Sequence, residues 1–372
     1  MEPIRVLQIF GEPFSNGGQE SYILNMYQHI DRTRVQFDIF TPFTIRNEAR
    51  RELFESLGGH IWAAGRPFNE DNNRYFREEV DTFLREHHYA IVHIHSGSTY
   101  ALMIGSKLAR RYGVKNVIVH SHCGGFVNLK YKVVRVLSRR ALLTYPTAYY
   151  ACSHLAARWK FPVPVIEKKR YTVLKNAVDT RLIHFDPAVR EQYRREMGLE
   201  GRLVVGHVGR FATQKNHRFL VAVFKEVVRL RPDARLLLAG EGGLEQEIRE
   251  LVHAEGLDEH VQFLGVRADV AQLMNAFDVF LLPSFFEGLP VVGVEAQATG
   301  LPVVTSTGVT PELPLPDLAQ YIPLDESPRA WAEQVIAAAD QPRRNTTQEI
   351  IDCGYDVQVA AHYMQTRYEE MI

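Results

Sequence analysis

Cysteine is scarce in this sequence. The chain has three cysteines in 372 residues, Cys123, Cys152 and Cys353, and no Cys-x-x-Cys pair. An odd, sparse set of thiols argues against a disulfide framework or a zinc site and is typical of a reducing compartment. We therefore expect a cytoplasmic protein without a structural disulfide or bound metal.

Long apolar runs are also missing. No stretch approaches the roughly 18 to 20 apolar residues that a membrane-spanning helix requires. The first segment, "MEPIRVLQIFGEPF", enters a strand-like run without the apolar core of a signal peptide. The sequence therefore predicts neither a spanning helix nor a leader.

No charge of one sign dominates the chain. The 43 Lys and Arg residues nearly balance 44 Asp and Glu residues, which leaves a net charge of -1 and predicts no nucleic-acid partner. One region differs: residues 130–170 hold ten basic residues against the single acid Glu167, interleaved with apolar positions. This pattern fits an anionic membrane surface, which would place the protein peripherally on the inner face of the cell membrane, or a plain solvated face.

Strand-like and helix-like segments alternate along the chain. Short runs rich in Val, Ile and Phe, such as "IRVLQIF" and "AIVHIHS", are separated by segments of helical period. This alternation predicts parallel sheets covered by helices on both sides. The pattern restarts near residue 200 with "LVVGHVG", after a polar stretch, and the length suits two domains.

The stretch "FFEGLPVVGVEAQATGLPVVTS" places Glu287 and Glu295 in apolar surroundings. It follows a predicted strand, and Pro290 suits the first turn of a helix that stops at Gly300. Gly288 permits close backbone approach, and the helix start would offer N–H groups to an anion such as a phosphate. Glu295 would then find sugar or ribose hydroxyls, or alternatively a basic side chain.

Two other loops follow first strands of the predicted sheets. "VGRFATQKNH" carries Arg210 and Lys215, two cations that could stabilise negative charge at this edge of the sheet or simply form a solvated basic loop. Gly17 and Gly18 lie between the first strand and the first helix, where they could admit a phosphate or form a plain tight turn. The chain has no Asp-x-Asp motif, which favours chemistry without a metal.

Histidines cluster at the ends of two predicted strands. "NVIVHSHCGG" contains His120 and His122, which we expect on opposite sides of the strand, one packed and one facing a cleft. Either could instead be a core histidine. His93 and His95 in "VHIHSG" are interpreted as mostly structural.

The Glu-x7-Glu spacing, with Gly-Leu-Pro after the first Glu, resembles the signature of retaining GT-B glycosyltransferases of glycosyltransferase family 4. The resemblance covers nearly the whole chain, and "RTRVQFDIF" and "IVHSH" are similar to bacterial exopolysaccharide and capsule members. It implies an α/β fold, GT-B, with two Rossmann-like doubly wound parallel-sheet domains facing a cleft. Residues 1–180 would bind the acceptor, with a C-terminal helix at 355–372 packing back on them, and residues 190–354 would bind the donor.

The resemblance also implies roles for individual residues. Glu295 would hold the ribose, Glu287 the donor sugar, and Arg210 with Lys215 the diphosphate. His122 would lie near the transferred sugar, with His120 as the alternative. The implied catalytic residues are His122, Glu287, Arg210 and Lys215. The implied donor-binding residues are Gly17, Gly18, Gly209, Arg210, Lys215, Val266, Glu287, Gly288, Leu289, Pro290, Val291 and Glu295.

By this resemblance the protein would be a retaining, metal-independent transferase that uses no cofactor. It would move a sugar from a nucleotide-sugar donor, a UDP-sugar, to a saccharide or lipid-linked saccharide acceptor in cell-surface or exopolysaccharide synthesis. Two alternatives stay open: a sugar-nucleotide epimerase of the same fold, and a non-catalytic protein that binds a sugar nucleotide.

Overall fold

A computed structural model describes residues 2–15, 17–122 and 129–372, without the side chains of 129–133 and 135. Cys123 lies outside the described residues, while Cys152 and Cys353 are not joined in a disulfide. The chain divides into two compact units: unit 1 comprises Met1–Ala177 with Val357–Ile372, and unit 2 comprises Val178–Asp356. The sequence predicts domains at 1–180 and 190–354, with a C-terminal helix at 355–372 on the first domain.

The described strands share a parallel arrangement in two sheets. They are β1 (Ile4–Phe10), β2 (Val35–Phe43), β3 (Ile61–Arg66), β4 (Ile91–Ser96), β5 (Asn116–Ser121), β6 (Ala148–Ala151), β7 (Thr172–Val173), β8 (Val204–Val208), β9 (Arg235–Ala239), β10 (Val261–Gly265), β11 (Val279–Leu282), β12 (Val303–Ser306) and β13 (Ala319–Ile322).

The described α-helices alternate with these strands. They are α1 (Gly18–His29), α2 (Glu48–Ser56), α3 (Asn72–Glu86), α4 (Thr99–Arg111), α5 (Leu129–Thr144), α6 (His154–Lys160), α7 (Val163–Glu167), α8 (Pro187–Glu196), α9 (His217–Leu230), α10 (Glu245–Ala254), α11 (Val270–Ala276), α12 (Val291–Ala298), α13 (Pro328–Ala339), α14 (Thr347–Asp352) and α15 (Val357–Glu369). Two short 3₁₀ turns, Thr213–Lys215 and Pro316–Leu318, complete the regular structure of the described residues.

Each sheet has the strand order of a doubly wound fold. Unit 1 has the order β3-β2-β1-β4-β5-β6-β7, and unit 2 has the order β10-β9-β8-β11-β12-β13. The predicted α/β class with two Rossmann-like parallel-sheet domains is therefore confirmed. In such sheets the strand order reverses at a switch point, and ligands bind outside the carboxyl ends of the strands there. The switch points lie between β1 and β4 in unit 1 and between β8 and β11 in unit 2.

Buried strands and one-sided helices build the two cores. Every residue of β4, β11 and β12 is buried, as expected for strands covered by helices on both faces. In unit 2, α9 turns Leu220, Phe224 and Val227 toward the sheet at helical spacing. Burying side chains of this size contributes roughly 1.5–3 kcal/mol each.

The C-terminal helix α15 belongs to the core of unit 1. It packs against α1 and the first strands, and its Tyr368 ring lies edge-on to Phe37 with centroids 5.8 Å apart. The Tyr368 hydroxyl reaches His93 Nδ1 at 2.7 Å. Residues near the C-terminus therefore help to support the side chains that line β1 and β4.

None of the helices within the described parts of the chain has both the length and the apolar character needed to cross a membrane.

A close backbone approach fixes the loop after β8. The residue that follows β9, Gly240, has a φ of 137°, and a Cβ atom there would lie 2.1 Å from the carbonyl oxygen of Gly209. The amide of Gly209 in turn donates to the Ala239 carbonyl at 2.9 Å. Only glycine permits this approach, which holds the start of the β8 loop against β9.

We expect Gly240→Ala to lower the free energy of unfolding by about 1–3 kcal/mol, because the new methyl group overlaps the Gly209 backbone. Gly243→Ala is the matched control, since a Cβ atom at Gly243 meets nothing within 4 Å. Denaturant unfolding of both variants measures the difference. Equal stability of the two variants would contradict the close approach.

Candidate active site

An ion pair joins two loops at the switch point of unit 2. Lys215 ends the 3₁₀ turn Thr213–Lys215 in the loop after β8, and Asn216, with a φ of 56°, caps α9. Lys215 Nζ lies 2.8 Å from Glu287 Oε1 in the loop after β11, and the two side chains keep only 15% and 11% of their exposure. Charges this buried require a partner, so the pair holds both loops in place.

Further hydrogen bonds fix the Glu287 carboxylate. Gln214 Nε2 donates to Glu287 Oε2 at 3.1 Å and to the Phe286 carbonyl oxygen at 3.0 Å. The Ser284 hydroxyl donates to Glu287 Oε1 at 3.1 Å, and the Glu287 amide donates to the Gly308 carbonyl at 3.2 Å. Neither Gln214 nor Ser284 is among the residues predicted from the sequence. In the sequence, Gln214 stands next to Lys215, and Ser284 lies shortly before Glu287. Only this closeness could have indicated their role.

The start of α12 lies directly after this carboxylate. The sequence predicts Pro290 in the first turn of α12, but Pro290 is the N-cap residue, one position before that turn. It forms no side-chain capping hydrogen bond. The first amides of a helix have no acceptor within the helix, so this end offers N–H groups and a positive dipole to an anion. The helix ends before Gly300, whose φ of 64° stops it as expected.

The remaining predicted residues of unit 2 occupy different positions. Gly288 and Leu289 are buried beside Glu287, and Val291 is half-buried at the start of α12. Glu295 is half-buried in the second turn of that helix. Gly209 underlies the lysine, because a Cβ atom there would lie 3.1 Å from Lys215 Cε.

Arg210 and Val266 differ from the buried residues around the ion pair, because both are exposed. Arg210 is exposed in the loop after β8. Val266 follows β10, two strands away from β8 in the sheet, and is 55% exposed. Unit 2 therefore brings together Lys215, Glu287 and the start of α12, while Val266 lies at the edge of the sheet.

Two buried histidines that were not predicted lie close to Lys215. His217 stacks on Phe211 with ring centroids 4.3 Å apart, and His207 Nδ1 lies 2.8 Å from the Leu281 carbonyl oxygen. Burial, followed by the charge of Lys215, lowers the pKa of His217 to about 4. Burial also lowers the pKa of His207 well below its usual value. Both rings are neutral at pH 7, so they add no charge beside Lys215.

The first glycine of the Gly17–Gly18 loop in unit 1 leaves room for a neighbouring side chain. A Cβ atom at Gly17 would lie 2.4 Å from Glu20 Oε2. Glu20 Oε1 accepts from the Ser15 amide at 3.1 Å and from the Ser15 hydroxyl at 3.2 Å. Gly18 is exposed at the start of α1. The missing side chain thus makes room for a carboxylate that closes the loop.

A second carboxylate, not predicted from the sequence, occupies the switch point of unit 1. Glu12 Oε1 accepts from the Ser96 hydroxyl at 2.8 Å and from the Gly97 amide at 3.1 Å. Gln19 Nε2 donates to Glu12 Oε2 at 3.2 Å, and Lys160 Nζ donates to the Gly97 carbonyl. Burial raises the pKa of the Glu12 carboxyl. Glu12 therefore joins the loops after β1 and β4.

Four histidines of unit 1 share one face of the sheet. His120 and His122 stack with centroids 4.0 Å apart, so the expectation that they point to opposite sides was wrong. Residues two positions apart on a strand point to the same side. His95 is the register partner of His120 on β4, and its ring lies 4.1 Å from that of His93. His93, His95 and His120 are fully buried, while His122 is partly exposed.

Burial keeps this histidine cluster neutral. It lowers the pKa of His93, His95 and His120 well below the usual value of 6.5, and that of His122 to about 3. Because a neutral imidazole carries one N–H and one lone pair, each ring can donate one hydrogen bond and accept one. This face of unit 1 therefore offers directional hydrogen bonds without charge.

Comparison with known proteins agrees with this architecture. The model described as Glycosyltransferase Family 4 matches residues 16–182, and the model described as Glycosyl transferases group 1 matches residues 202–341. EpsF of Bacillus subtilis (strain 168), named as a glycosyltransferase, is 33% identical over 366 residues, which cover 95% of this chain and 93% of EpsF.

Two further proteins extend the comparison. The UDP-Gal:alpha-D-GlcNAc-diphosphoundecaprenol alpha-1,3-galactosyltransferase of Escherichia coli is 31% identical over 232 residues, 60% of this chain and 59% of that protein. The crystal structure of Anabaena Alr3699/HepE, in complex with UDP, is similar with a TM-score of 0.73 at 18% identity and covers 99% of this chain and 100% of that one. This structural likeness supports the fold alone.

The two doubly wound units, together with these matches, define a glycosyltransferase of the GT-B fold class. The chain belongs to glycosyltransferase family 4, with the group 1 domain of these enzymes in unit 2. The resemblance stated from the Glu-x7-Glu segment is confirmed at the level of the family and of the enzyme class.

The histidine cluster predicts how stability depends on pH. Unfolded histidines bind a proton near pH 6.5, whereas the buried rings do not, so the free energy of unfolding falls as pH drops below about 6.5. Each such ring contributes at most about 1.4 kcal/mol per pH unit. We expect His120→Leu to reduce the slope of the free energy of unfolding against pH by the contribution of one ring. Urea unfolding between pH 7.5 and pH 5 measures this slope.

The control for this prediction is Val119→Ala, because Val119 is a fully buried residue of the same strand and has no titratable group. It should leave the slope of stability against pH unchanged. A slope in His120→Leu equal to that of the wild type would show that the buried ring titrates like an unfolded one.

Proposed function

We propose that this protein is a retaining, metal-independent glycosyltransferase that uses a UDP-sugar and acts in the synthesis of a cell-surface or extracellular polysaccharide. Unit 2 binds the donor, and unit 1 binds a saccharide or lipid-linked saccharide acceptor. No cofactor beyond the donor takes part in the reaction.

The observation that carries this proposal is the Lys215–Glu287 pair beside the start of α12. A diphosphate needs positive groups, which Lys215 and the helix amides supply, and a sugar needs hydrogen-bond acceptors, which Glu287 supplies. As the bond to the sugar breaks, negative charge grows on the diphosphate. A fixed lysine stabilises this charge in place of a metal ion.

The ion pair also fixes the positions of the Lys215 and Glu287 side chains. Each charge satisfies the other at 2.8 Å, and Gln214 and Ser284 hold the carboxylate in one orientation. A phosphate oxygen then competes for Lys215, which frees a carboxylate oxygen for a sugar hydroxyl. We propose that Arg210, exposed in the same loop, adds a second contact to the diphosphate and that Glu295 binds the ribose.

Two of the similar proteins support the choice of donor and acceptor. Anabaena Alr3699/HepE was solved in complex with UDP. The E. coli relative is named for a UDP-galactose donor and a diphosphoundecaprenol-linked acceptor. We infer the same chemical classes here, with His122 and the Gly17–Gly18 loop of unit 1 serving the acceptor and the transferred sugar.

Neutralising either charge of the pair should abolish most of the transfer. We expect Glu287→Gln and Lys215→Met each to lower kcat by about a hundredfold to a thousandfold, because a contact to the developing charge or to the sugar is lost. The assay follows transfer from labelled UDP-hexoses to GlcNAc-diphosphoundecaprenol, and the wild type is measured before and after a chelator is added. Turnover by the wild type that stops on adding the chelator would contradict metal independence.

The double variant Lys215→Met with Glu287→Gln separates catalysis from folding. Each single change leaves one buried charge unpaired, which costs about 3–5 kcal/mol, while the double change removes both charges. The double variant should recover stability and stay inactive. Lys225→Met, which removes a half-exposed pair with Glu255 in the same unit, is the control. Near-normal transfer by either single variant would overturn the proposed roles.

The region 130–170 also has a surface that fits peripheral membrane contact. On α5, Val136 and Leu137 are each 73% exposed, and Arg139 and Arg140 beside them are exposed as well. Apolar side chains next to basic ones suit the boundary between lipid headgroups and acyl chains. We propose that α5 contacts an anionic membrane surface, where a lipid-linked acceptor would be found.

Replacing Val136 and Leu137 together by Ser should weaken binding to vesicles of phosphatidylcholine and phosphatidylglycerol by at least about tenfold, because two apolar side chains no longer enter the lipid. Co-sedimentation measures the bound fraction. Leu182→Ser is the control, since Leu182 of unit 2 is 71% exposed and outside the basic region. Unchanged binding of the double variant would exclude α5 as the contact.

A further inference from the structure

We infer that His95, supported by Gln8, is a positioning residue that holds His122 as the tautomer with its proton on Nε2 and its lone pair on Nδ1. The inference rests on the proposed function, in which His122 serves the transferred sugar. It adds two residues, from β1 and β4, that do not themselves touch the substrate.

A chain of two short hydrogen bonds carries this inference. His95 Nε2 lies 2.7 Å from Gln8 Oε1, and His95 Nδ1 lies 2.8 Å from His122 Nε2. Gln8 and His95 are fully buried, which keeps bulk water away from the link between them. Three side chains from β1, β4 and the end of β5 are thus joined in one line.

The direction of the chain follows from counting protons. A carbonyl oxygen only accepts, so His95 Nε2 carries the proton that it donates to Gln8. A neutral His95 then has a bare Nδ1, which must accept, and His122 Nε2 must donate. In this orientation the Gln8 Nε2 group lies 3.5 Å from the Tyr368 hydroxyl, which can accept a hydrogen bond from it. The lone pair of His122 is therefore left on Nδ1.

Packing prevents the His122 ring from turning away. Its ring stacks on His120 at 4.0 Å, and Tyr22 of α1 lies across both rings, 5.6 Å from His122. The backbone is fixed as well, because Cys152 Sγ donates to the His122 carbonyl oxygen at 3.3 Å. One orientation and one tautomer present a single acceptor nitrogen to a hydroxyl.

A metal ion is the competing interpretation of this cluster. Donor nitrogens of His93, His95 and His120 lie within 4.8 Å of one another. His93 Nε2 and both nitrogens of His120 have no hydrogen-bond partner among the described residues. Both nitrogens of His95, however, are already engaged. A metal ion on His95 would displace His122 from Nδ1 or Gln8 from Nε2, so the two interpretations exclude each other.

The tautomer can be measured directly. With ¹⁵N-labelled histidine, the two ring nitrogens of His122 give separate shifts for protonated and bare nitrogen, and His122→Asn assigns the signals. We expect a protonated Nε2 and a bare Nδ1 in the wild type. His95→Leu should abolish this fixed pattern, and His95→Asn, which keeps an acceptor near the position of Nδ1, should restore it.

His93→Leu is the matched control for these spectra. It removes a buried imidazole from the same cluster, but the hydrogen bond of His93 goes to Tyr368 and not to His122. The His122 pattern should persist in this variant. A pattern unchanged in His95→Leu, or lost equally in His93→Leu, would overturn the inference.

Kinetics supply a second readout. We expect His95→Leu to lower kcat by about tenfold to a hundredfold, as a small misplacement of a reacting group does. Binding of UDP, measured by thermal shift, should not change because unit 2 is intact. His95→Asn should recover most of kcat. Equal kcat in His95→Leu and the wild type would contradict a positioning role.

Failure of the proposed function would look different. A wild type without any sugar transfer, but with the expected His122 pattern, would refute the proposed reaction and leave the hydrogen-bond chain in place. Stoichiometric zinc in the purified wild type, measured by elemental analysis and lost in His120→Leu, would overturn the chain in favour of the metal interpretation.

Discussion

The Lys215–Glu287 ion pair is the constraint on which the candidate site of unit 2 depends. The two charges are almost buried and lie 2.8 Å apart. Separating them would leave a charge unpaired where water solvates it poorly. The surrounding contacts serve this pair, because Gln214 and Ser284 saturate the carboxylate and Gly209 leaves room beneath the lysine. A ligand that takes both charges at once, with phosphate and hydroxyl groups in one molecule, meets a site already shaped for it.

The topology explains why this pair forms where it does. In each unit the strand order reverses once, and the loops on either side of that point are neighbours at the carboxyl edge. In unit 2 these loops carry Lys215 and Glu287, and in unit 1 they carry Glu12 and Ser96. The same backbone plan thus supports an ion pair in one unit and a hydrogen-bonded carboxyl group in the other. Under the proposed function, the ion pair of unit 2 serves the charged donor, and the neutral histidines of unit 1 serve an uncharged hydroxyl acceptor.

Features that are local in sequence could be predicted. The two α/β units follow from alternating apolar runs, and the loop and helix around Glu287 follow from one strand-Gly-Pro segment in which each residue acts on its near neighbours. Even there, Pro290 proved to be the N-cap residue and not part of the first turn, a shift of one position that propensity does not resolve. The importance of Lys215 could be inferred from its loop, but its direct contact with Glu287, 72 residues away, could not.

Features that depend on the register between distant strands could not be predicted. His95 and His120 meet because β4 and β5 align them, and Gln8 reaches His95 because β1 lies beside β4. No spacing in the sequence encodes these alignments. The period of two along a strand places His120 and His122 on the same face, and the expectation of opposite faces misapplied that rule.

Once the register is known, the direction of the hydrogen bonds in the cluster follows from counting protons. Neutral rings that are hydrogen-bonded in a chain must all donate in the same direction. That direction is set by the end of the chain that can only accept. In unit 1 that end is the Gln8 carbonyl oxygen, so a residue of the first strand determines which nitrogen of His122 remains bare.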